Sequence, residues 1–350
     1  MLDGEISLAT HVALQLVRHN NTKGPDLSPA EAKLPLSRHF RRNEHVSMRT
    51  SWTDRNATWV AMKGRVPWAV ASDPGHPHDD LGGFVLETCG ERWASDLGAE
   101  GYDEPQYFDL QLQRWAYYRA AWAGHNVLTL RQHAPSAAVP LPSASLMKNL
   151  SASAAFFGVK LEETGDGIAS LNLTDVHDGH AEVTRKLRLQ GHVVTITDAV
   201  TPHVDAEAVW TMHTCTTWCG LPAHAGHQPW LAPNTNRTID VDGPTAVIRS
   251  SNGTSVTLHI HATGGSAGAL SWAVESAKPP GSPAGQKQNE DYSKLVAKFR
   301  VHAGVALNVS VRIEGSCARG HSRLKTDEAV MRSRKPALVR LSIHGPVFGP

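Results

Sequence analysis

The chain has 350 residues, enough for one large β domain or two ordinary ones, so core size is not limiting. Lysine and arginine total 34 against 33 aspartate and glutamate, a formal charge of +1 that supplies no overall field for nucleic acid or anionic lipid. No stretch approaches the roughly 18 consecutive apolar residues of a membrane span, and no basic segment with a following apolar run opens the chain as a signal peptide would.

In chain order, residues 5–18 come first, with Ile6, Leu8, Val12, Leu14, Leu16 and Val17 in a mixed apolar pattern that predicts a short helix. One helix cannot bury its face alone, so it reads as the remnant of something larger upstream. Residues 19–36 carry Asn, Gly, Pro and Ser with few large apolar groups, which is linker chemistry. From about Val46 the rhythm changes to short apolar runs broken by Gly, Pro, Asn and Asp. Strands are predicted over 57–62, 83–87, 92–96, 126–130, 154–161, 168–173, 181–189, 192–198, 207–212, 246–250, 255–261, 270–274, 295–301 and 307–313. The clearest hairpin turns at Gln190-Gly191. A helical interruption is predicted over 111–123, where aromatic residues crowd, and a long surface loop over 276–292, which contains Lys278-Pro279-Pro280-Gly281. The expected fold is all-β, a large antiparallel β-sandwich with a short N-terminal helical remnant. The expected division is remnant and linker over 1–45, sandwich over 46–331, and a basic tail over 332–350.

Four cysteines, Cys89, Cys215, Cys219 and Cys317, are too few for a disulfide scaffold but allow one or two bridges; Cys215 and Cys219 are also spaced for a metal, without a second close pair. Seven of the 12 asparagines open an Asn-x-Ser/Thr sequon: Asn20, Asn56, Asn149, Asn172, Asn236, Asn252 and Asn308. That excess predicts a glycoprotein on a secretory route, although polar strand edges rich in Asn, Ser and Thr would give the same pattern.

The 20 histidines are numerous for a chain of this length, and imidazole is both a metal ligand and a proton carrier near neutral pH. In Gly75-His76-Pro77-His78-Asp79-Asp80-Leu81-Gly82-Gly83-Phe84, His76 and His78 project to one side if Pro77 is extended. Asp96 and His125 follow. Two imidazoles and a carboxylate form a ligand set acceptable to zinc, with a fourth position for water or another side chain. Taken alone, His-x-His reads equally as two surface loop histidines.

A set of ordered landmarks adds to this reading. Met48-Arg49-Thr50-Ser51-Trp52, Trp59-Val60-Ala61-Met62-Lys63-Gly64 and His76-x-His78-x-Asp80-x-Gly82-x-Phe84 are similar to the segment that opens the C-terminal region of heparinase II/III-like polysaccharide lyases. Gly90 to Gly98, Arg114 to Arg119 with Gly124-His125-Asn126, Val183-Thr184-Arg185, Val194 to Asp198 and Trp210 to Thr214 continue the resemblance in order. It covers residues 35–215 well and the remainder loosely.

The resemblance implies an N-terminal α/α toroid joined to this β-sandwich, and cleavage of acidic, uronate-containing polysaccharide by β-elimination. It implies that His76 faces the cleft as a catalytic group, and that His78, Asp96 and His125 hold a Zn2+ ion that orders the loop. Tyr118 and Arg119, just before His125, could bind substrate through a phenol hydrogen bond and a guanidinium–carboxylate or sulfate pair, although an aromatic cluster such as Trp115, Tyr117 and Tyr118 also reads as core. Asp79 stands where the family more often has a small or apolar residue and could compete as a ligand. The family's catalytic tyrosine and substrate-binding arginines belong to the toroid, which nothing before residue 46 supplies. A secreted or cell-envelope location, no nucleic-acid partner and no membrane span complete the expectation. A carbohydrate-binding sandwich without catalysis is the alternative.

Overall fold

In the computed structural model the described residues are 29, 31–65, 77–109, 113–132, 154–177, 179–217, 219, 235–264, 270–279, 281, 283 and onward to 318. The expected helix over 5–18 and the tail over 332–350 lie outside them.

The described chain is all-β, and every strand pairing is antiparallel. A five-stranded sheet runs β1 (Arg38–Phe40), β2 (His45–Arg49), β3 (Trp59–Lys63), β4 (Phe84–Thr88) and β5 (Glu91–Ala94) in sequence order. β6 (Leu128–Gln132) joins β11 (Ala206–Cys215), β16 (Tyr292–Val301) and β15 (Ala273–Ser276) in a four-stranded sheet. An eight-stranded sheet contains β7 (Phe156–Leu161), β8 (Gly167–Asn172), β9 (Ala181–Gln190), β10 (Val193–Pro202), β12 (Arg237–Asp242), β13 (Thr245–Ser250), β14 (Ser255–Gly264) and β17 (Leu307–Ser316). Its order is β12-β13-β14-β17-β10-β9-β8-β7, so the last strand enters the middle of the sheet.

The strand pattern follows from side-chain alternation. In β9 Ala181, Val183, Leu187 and Leu189 are buried while Glu182, Lys186, Arg188 and Gln190 are exposed. The period of two puts the first set on a core shared by all three sheets and the second set in water. Val46, Met62 and Leu86 of the first sheet, Trp210 and Leu295 of the second, and Leu187, Ile196 and Val311 of the third belong to that one cluster.

β1, β2 and β12 lie where the sequence predicts no strand, and β15 begins three residues later than predicted. These strands are short or carry polar residues such as His45, Ser47, Arg237 and Asp240, so propensity understates them. The helix expected over 111–123 is corrected. Residues 113–116 and 122–124 form two single 3-10 turns, and no α-helix occurs among the described residues. Trp115, Tyr117, Tyr118 and Ala120 are all buried, an arrangement that one amphipathic helical stripe cannot supply.

Both cysteine pairs are bonded, Cys89 to Cys317 across 228 residues and Cys215 to Cys219 across 4, so Cys215 and Cys219 form a bridge instead of the metal pair their spacing also allowed. Beside the first bridge, buried Glu91 accepts hydrogen bonds from Arg237, Thr235, Asn252 and Thr254, tying β5 to β12 and to the β13–β14 turn.

Candidate functional site

The loop entering β4 is built on two glycines. Gly82 has φ +80, and a Cβ there would lie 2.9 Å from Leu173 Cδ1. A Cβ on Gly83 would meet the Asp80 carbonyl oxygen at 2.7 Å, so only glycine lets the backbone turn this closely. Gly83 N–H closes the turn on Asp80 O, and Asp79 N–H donates to Ala120 O, which docks the loop on the aromatic segment after residue 113. Arg114, 1% exposed, donates to Pro77 O at 2.8 Å and to Tyr107 O at 2.9 Å while its guanidinium lies over the Tyr107 ring. Arg65 donates to His78 O at 3.0 Å. The backbone around His78 is thus held by two arginines.

Three of the expected ligands converge here. His125 is fully buried, and its Nδ1 lies 2.8 Å from Asp96 Oδ2. The His78 and His125 rings are 5.3 Å apart between centroids, and His78 Nε2 is 3.3 Å from the Tyr107 hydroxyl. Burial opposes charge on both Asp96 and His125, but their mutual hydrogen bond and attraction outweigh it. The Asp96 carboxyl is held well below the ordinary carboxylate range and the His125 imidazole is raised. Burial and the adjacent His125 depress His78 to about 4, so it is neutral with an available lone pair. Burial pushes Asp79 up to about 7, whereas the Lys63 ammonium, 2.6 Å from Asp80, overcomes burial and keeps that carboxyl low.

Behind this cluster lies a second polar layer. Asn126 donates from Nδ2 to Phe84 O at 2.8 Å and Ser95 O at 3.0 Å, which turns its Oδ1 to His213, whose backbone N–H donates at 2.6 Å. His213 Nδ1 is 3.2 Å from the same oxygen, fixing the proton on Nδ1 and leaving Nε2 to accept from the Tyr118 hydroxyl at 3.0 Å. Burial drives His213 down to about 3, with Lys294 and His125 adding to the shift. Arg119 donates from Nε to Asn289 Oδ1 at 2.8 Å, and Tyr118 N–H donates to Gln286 Oε1 at 3.0 Å.

A third layer reaches across from the eight-stranded sheet. Arg185 forms a two-pronged ion pair with Asp198, at 2.7 and 2.9 Å, with both side chains at 0% exposure. Its remaining nitrogen, Nη1, donates to Gly82 O at 2.8 Å and Asn126 O at 3.0 Å. One guanidinium therefore fixes both the loop after His78 and the segment after His125.

The family model described as "Heparinase II/III-like, C-terminal" matches residues 45–327. The chain belongs to this family. Among solved structures, the heparan sulfate lyase HepC from Pedobacter heparinus superposes with a TM-score of 0.56 at 14% identity, over 91% of this chain and 43% of that one. A crystal structure of heparinase III gives 0.55 at 12% identity, over 82% and 37% of the two chains. The chain therefore spans about two fifths of the length of these structural relatives, and the likeness establishes the sandwich fold. No curated protein matches in sequence.

Within this heparinase-like domain, His78, Asp96 and His125 are brought together; His76 lies outside the described residues. Among the described residues, no three His, Cys, Asp or Glu side chains are grouped so that they could hold a metal ion. The donor chemistry still suits zinc: a neutral imidazole, an ionised carboxylate, and a His125 Nε2 that is buried without a hydrogen-bond partner. Tyr118 and Arg119 stand beside the cluster, each engaged with a protein partner.

Tyr107, Arg114, Asn126, Arg185, Asp198 and His213 were not singled out as site residues from sequence. Two of them left a readable signal. Counting back from the Gln190-Gly191 turn puts Arg185 opposite Asp198, each at an inward, otherwise apolar position of its strand. Opposite charges at facing core positions imply a buried pair. Tyr107 and Asn126 gave no such signal, because only the tertiary fold brings them beside His78 and His213.

Proposed function

We propose that this chain forms one wall of the active site of a polysaccharide lyase that cleaves uronic-acid-containing glycans by β-elimination. The observation that carries the reading is the approach of His125 to both Asp96 and His78 beside the loop that follows His76, in a chain of the heparinase II/III-like family. In the reaction a base removes the C5 proton of the uronate, and the electron pair forms the C4–C5 double bond. The C4–O bond breaks, and an acid protonates the departing oxygen. The reaction needs the uronate carboxylate neutralised, which lowers the barrier to losing that proton.

His76 is assigned to the cleft, to neutralise the carboxylate or carry a proton. His78, Asp96 and His125 would hold zinc, whose contribution is to order the loop. Asp79 is a competing ligand in this reading. Tyr118 and Arg119 are its substrate-binding pair, with Arg119 suited to a carboxylate or sulfate. Here they contact His213 and Asn289, so binding by either requires an exchange of partners. The two disulfides and the sequons fit an oxidising compartment outside the cytoplasm. No helix among the described residues is long and apolar enough to cross a membrane.

The decisive experiment joins the 350-residue chain to the helical domain of a structurally similar heparan sulfate lyase and mixes it with heparan sulfate, alginate and glucuronan. Ultraviolet absorbance of an unsaturated uronate is expected with at least one polymer, and its loss with His76→Ala. Silence on every uronate polymer would sink the lyase reading. For the metal, stoichiometric zinc is expected in the purified chain, with His78→Ala losing it and melting at lower temperature. If His78→Ala alters neither metal content nor melting, the ligand assignment is wrong.

A further inference from the structure

The outward face of the eight-stranded sheet carries an ordered set of cations. Strand register aligns Lys160, Ile168, Arg188, Thr195, Arg312, His259 and Thr245 in one row across β7, β8, β9, β10, β17, β14 and β13. The neighbouring row, two residues along β8, β9, β10, β17 and β14 and three along β7 where the register shifts, contains Phe157, the buried Ser170, Lys186, Thr197, Ser310 and His261. Lys160, Lys186, Arg188, Arg312, His259 and His261 are exposed, as is Phe157 at 50%. Adjacent strands lie about 4.8 Å apart, so Lys160, Arg188 and Arg312, each two strands from the next, recur at about 10 Å intervals.

Between the cations run hydroxyl groups. Thr195 and Thr197 are partly exposed, and the Thr197 and Ser310 hydroxyls are 3.1 Å apart. Among the described residues Lys160, Lys186 and Arg188 have no ion-pair partner. Arg312 pairs with Glu314, and Thr245 bonds His259. One acid, Glu314 on β17, sits on the face itself and neutralises Arg312, and the others lie at its margins: Glu182 at the start of β9, Glu162 and Glu163 in the β7–β8 turn, and Asp240 with Asp242 on the edge strand β12, where Asp240 pairs with Arg249. Lys160, Lys186 and Arg188 leave the β7–β9 side of the face positive in a chain whose total charge is +1.

This face is separate from the candidate active site. Arg185 points inward to Gly82 and Asn126, and its neighbours on the strand, Thr184 and Lys186, point to the opposite side of the sheet.

We propose that this outer face is a second binding surface for acidic polysaccharide, holding an extended chain across the strands while the loop site at the other side acts on it or on its neighbour. The choice of glycan rests on the lyase reading, but the charge argument does not. Guanidinium and ammonium groups at regular intervals match a polymer whose carboxylates or sulfates recur along its length. Hydroxyl groups between them suit sugar hydroxyls, and exposed Phe157 offers an apolar ring to a sugar face. A flat array of this kind captures polymer without enclosing it, which suits a surface that must release or slide its ligand.

The test is binding of the full chain to immobilised heparin and immobilised alginate over a range of salt. The triple variant Lys160→Gln, Lys186→Gln, Arg188→Gln should bind about tenfold more weakly at low salt, with a shallower salt dependence. Its melting temperature should match the parent's. Exchange that preserves charge, Lys186→Arg with Arg188→Lys, should keep the affinity, and Arg92→Gln with Lys298→Gln elsewhere should leave it unchanged. Equal binding by parent and triple variant overturns the proposal. So does equally tight binding of duplex DNA, which would mark a generic attraction for polyanions. Binding that persists in the chain joined to a helical domain, with no elimination product from any uronate polymer, would leave this surface standing while the lyase reading falls.

Discussion

His213 shows how one residue's environment sets a measurable property. It is fully buried in β11, neutral, and bonded on both ring nitrogens. Its folded-state pKa of about 3 lies below the ordinary imidazole value of 6.5. Between these values the unfolded chain binds the proton more readily, so the stability that His213 contributes is fully present above the unfolded pKa and is lost as pH falls. By pH 5 the loss is about 2 kcal/mol from this residue alone. Replacement by Gln, which can keep one hydrogen bond, should flatten the fall in melting temperature between pH 6.5 and pH 5 relative to the parent. An unchanged slope would mean that His213 does not remain neutral in the fold.

The same scale marks what could be read from sequence. Ordered landmarks that resemble a family segment brought His78, Asp96 and His125 forward together, and the fold sets His125 beside both Asp96 and His78. The supporting groups are legible only through the fold. Asn126 and His213 are 87 residues apart, and Gln286 meets Tyr118 across 168 residues. No local pattern announces such a pair.

At the scale of elements, the β9–β10 hairpin does more than supply core. Its buried ion pair lies opposite the site loops, and the third hydrogen-bonding arm of Arg185 makes the hairpin a fixed reference for both. Arg185→Met should cost about 3–5 kcal/mol in denaturant unfolding, since the Asp198 charge stays buried without a partner. Adding Asp198→Leu should recover most of that stability. It should not restore the zinc affinity expected of the parent, because Gly82 and Asn126 would still lack their shared donor. Full recovery of both properties would show that the arginine is structural only.

The long hairpins were legible because their alternation is strict and their turns carry glycine. The segment expected as a surface loop after residue 276 does lack strands over its described residues, but Gln286 and Asn289 are buried in it. It straps the aromatic segment through Tyr118, Arg119 and Glu100. Its proline and glycine content signalled the absence of strand, while its packing came from side-chain amides that composition does not weigh.

For the whole molecule, the two bridges are expected to differ in weight. In the chain-entropy account, closing a loop of 228 residues stabilises by about 5 kcal/mol, and one of 4 residues by about 2 kcal/mol. Cys317→Ser should therefore lower the melting temperature more than Cys219→Ser. Equal effects in calorimetry would show that loop entropy is not what the long bridge contributes.

The central place of β17 bears on how such a molecule is made. Its partners β14 and β10 both precede it in the chain, and until residues 307–316 leave the ribosome they present unpaired edges, ten residues long on β14 and eight on β10. Exposed edges of that length are sites for pairing with other chains. Between the end of β14 at Gly264 and the arrival of β17 at Leu307 the largest sheet is in two pieces, and the strand that joins them arrives immediately before Cys317. Closure of the sheet is therefore expected to accompany formation of the long bridge, and the yield of folded protein to depend on how well those edges are shielded in the interval.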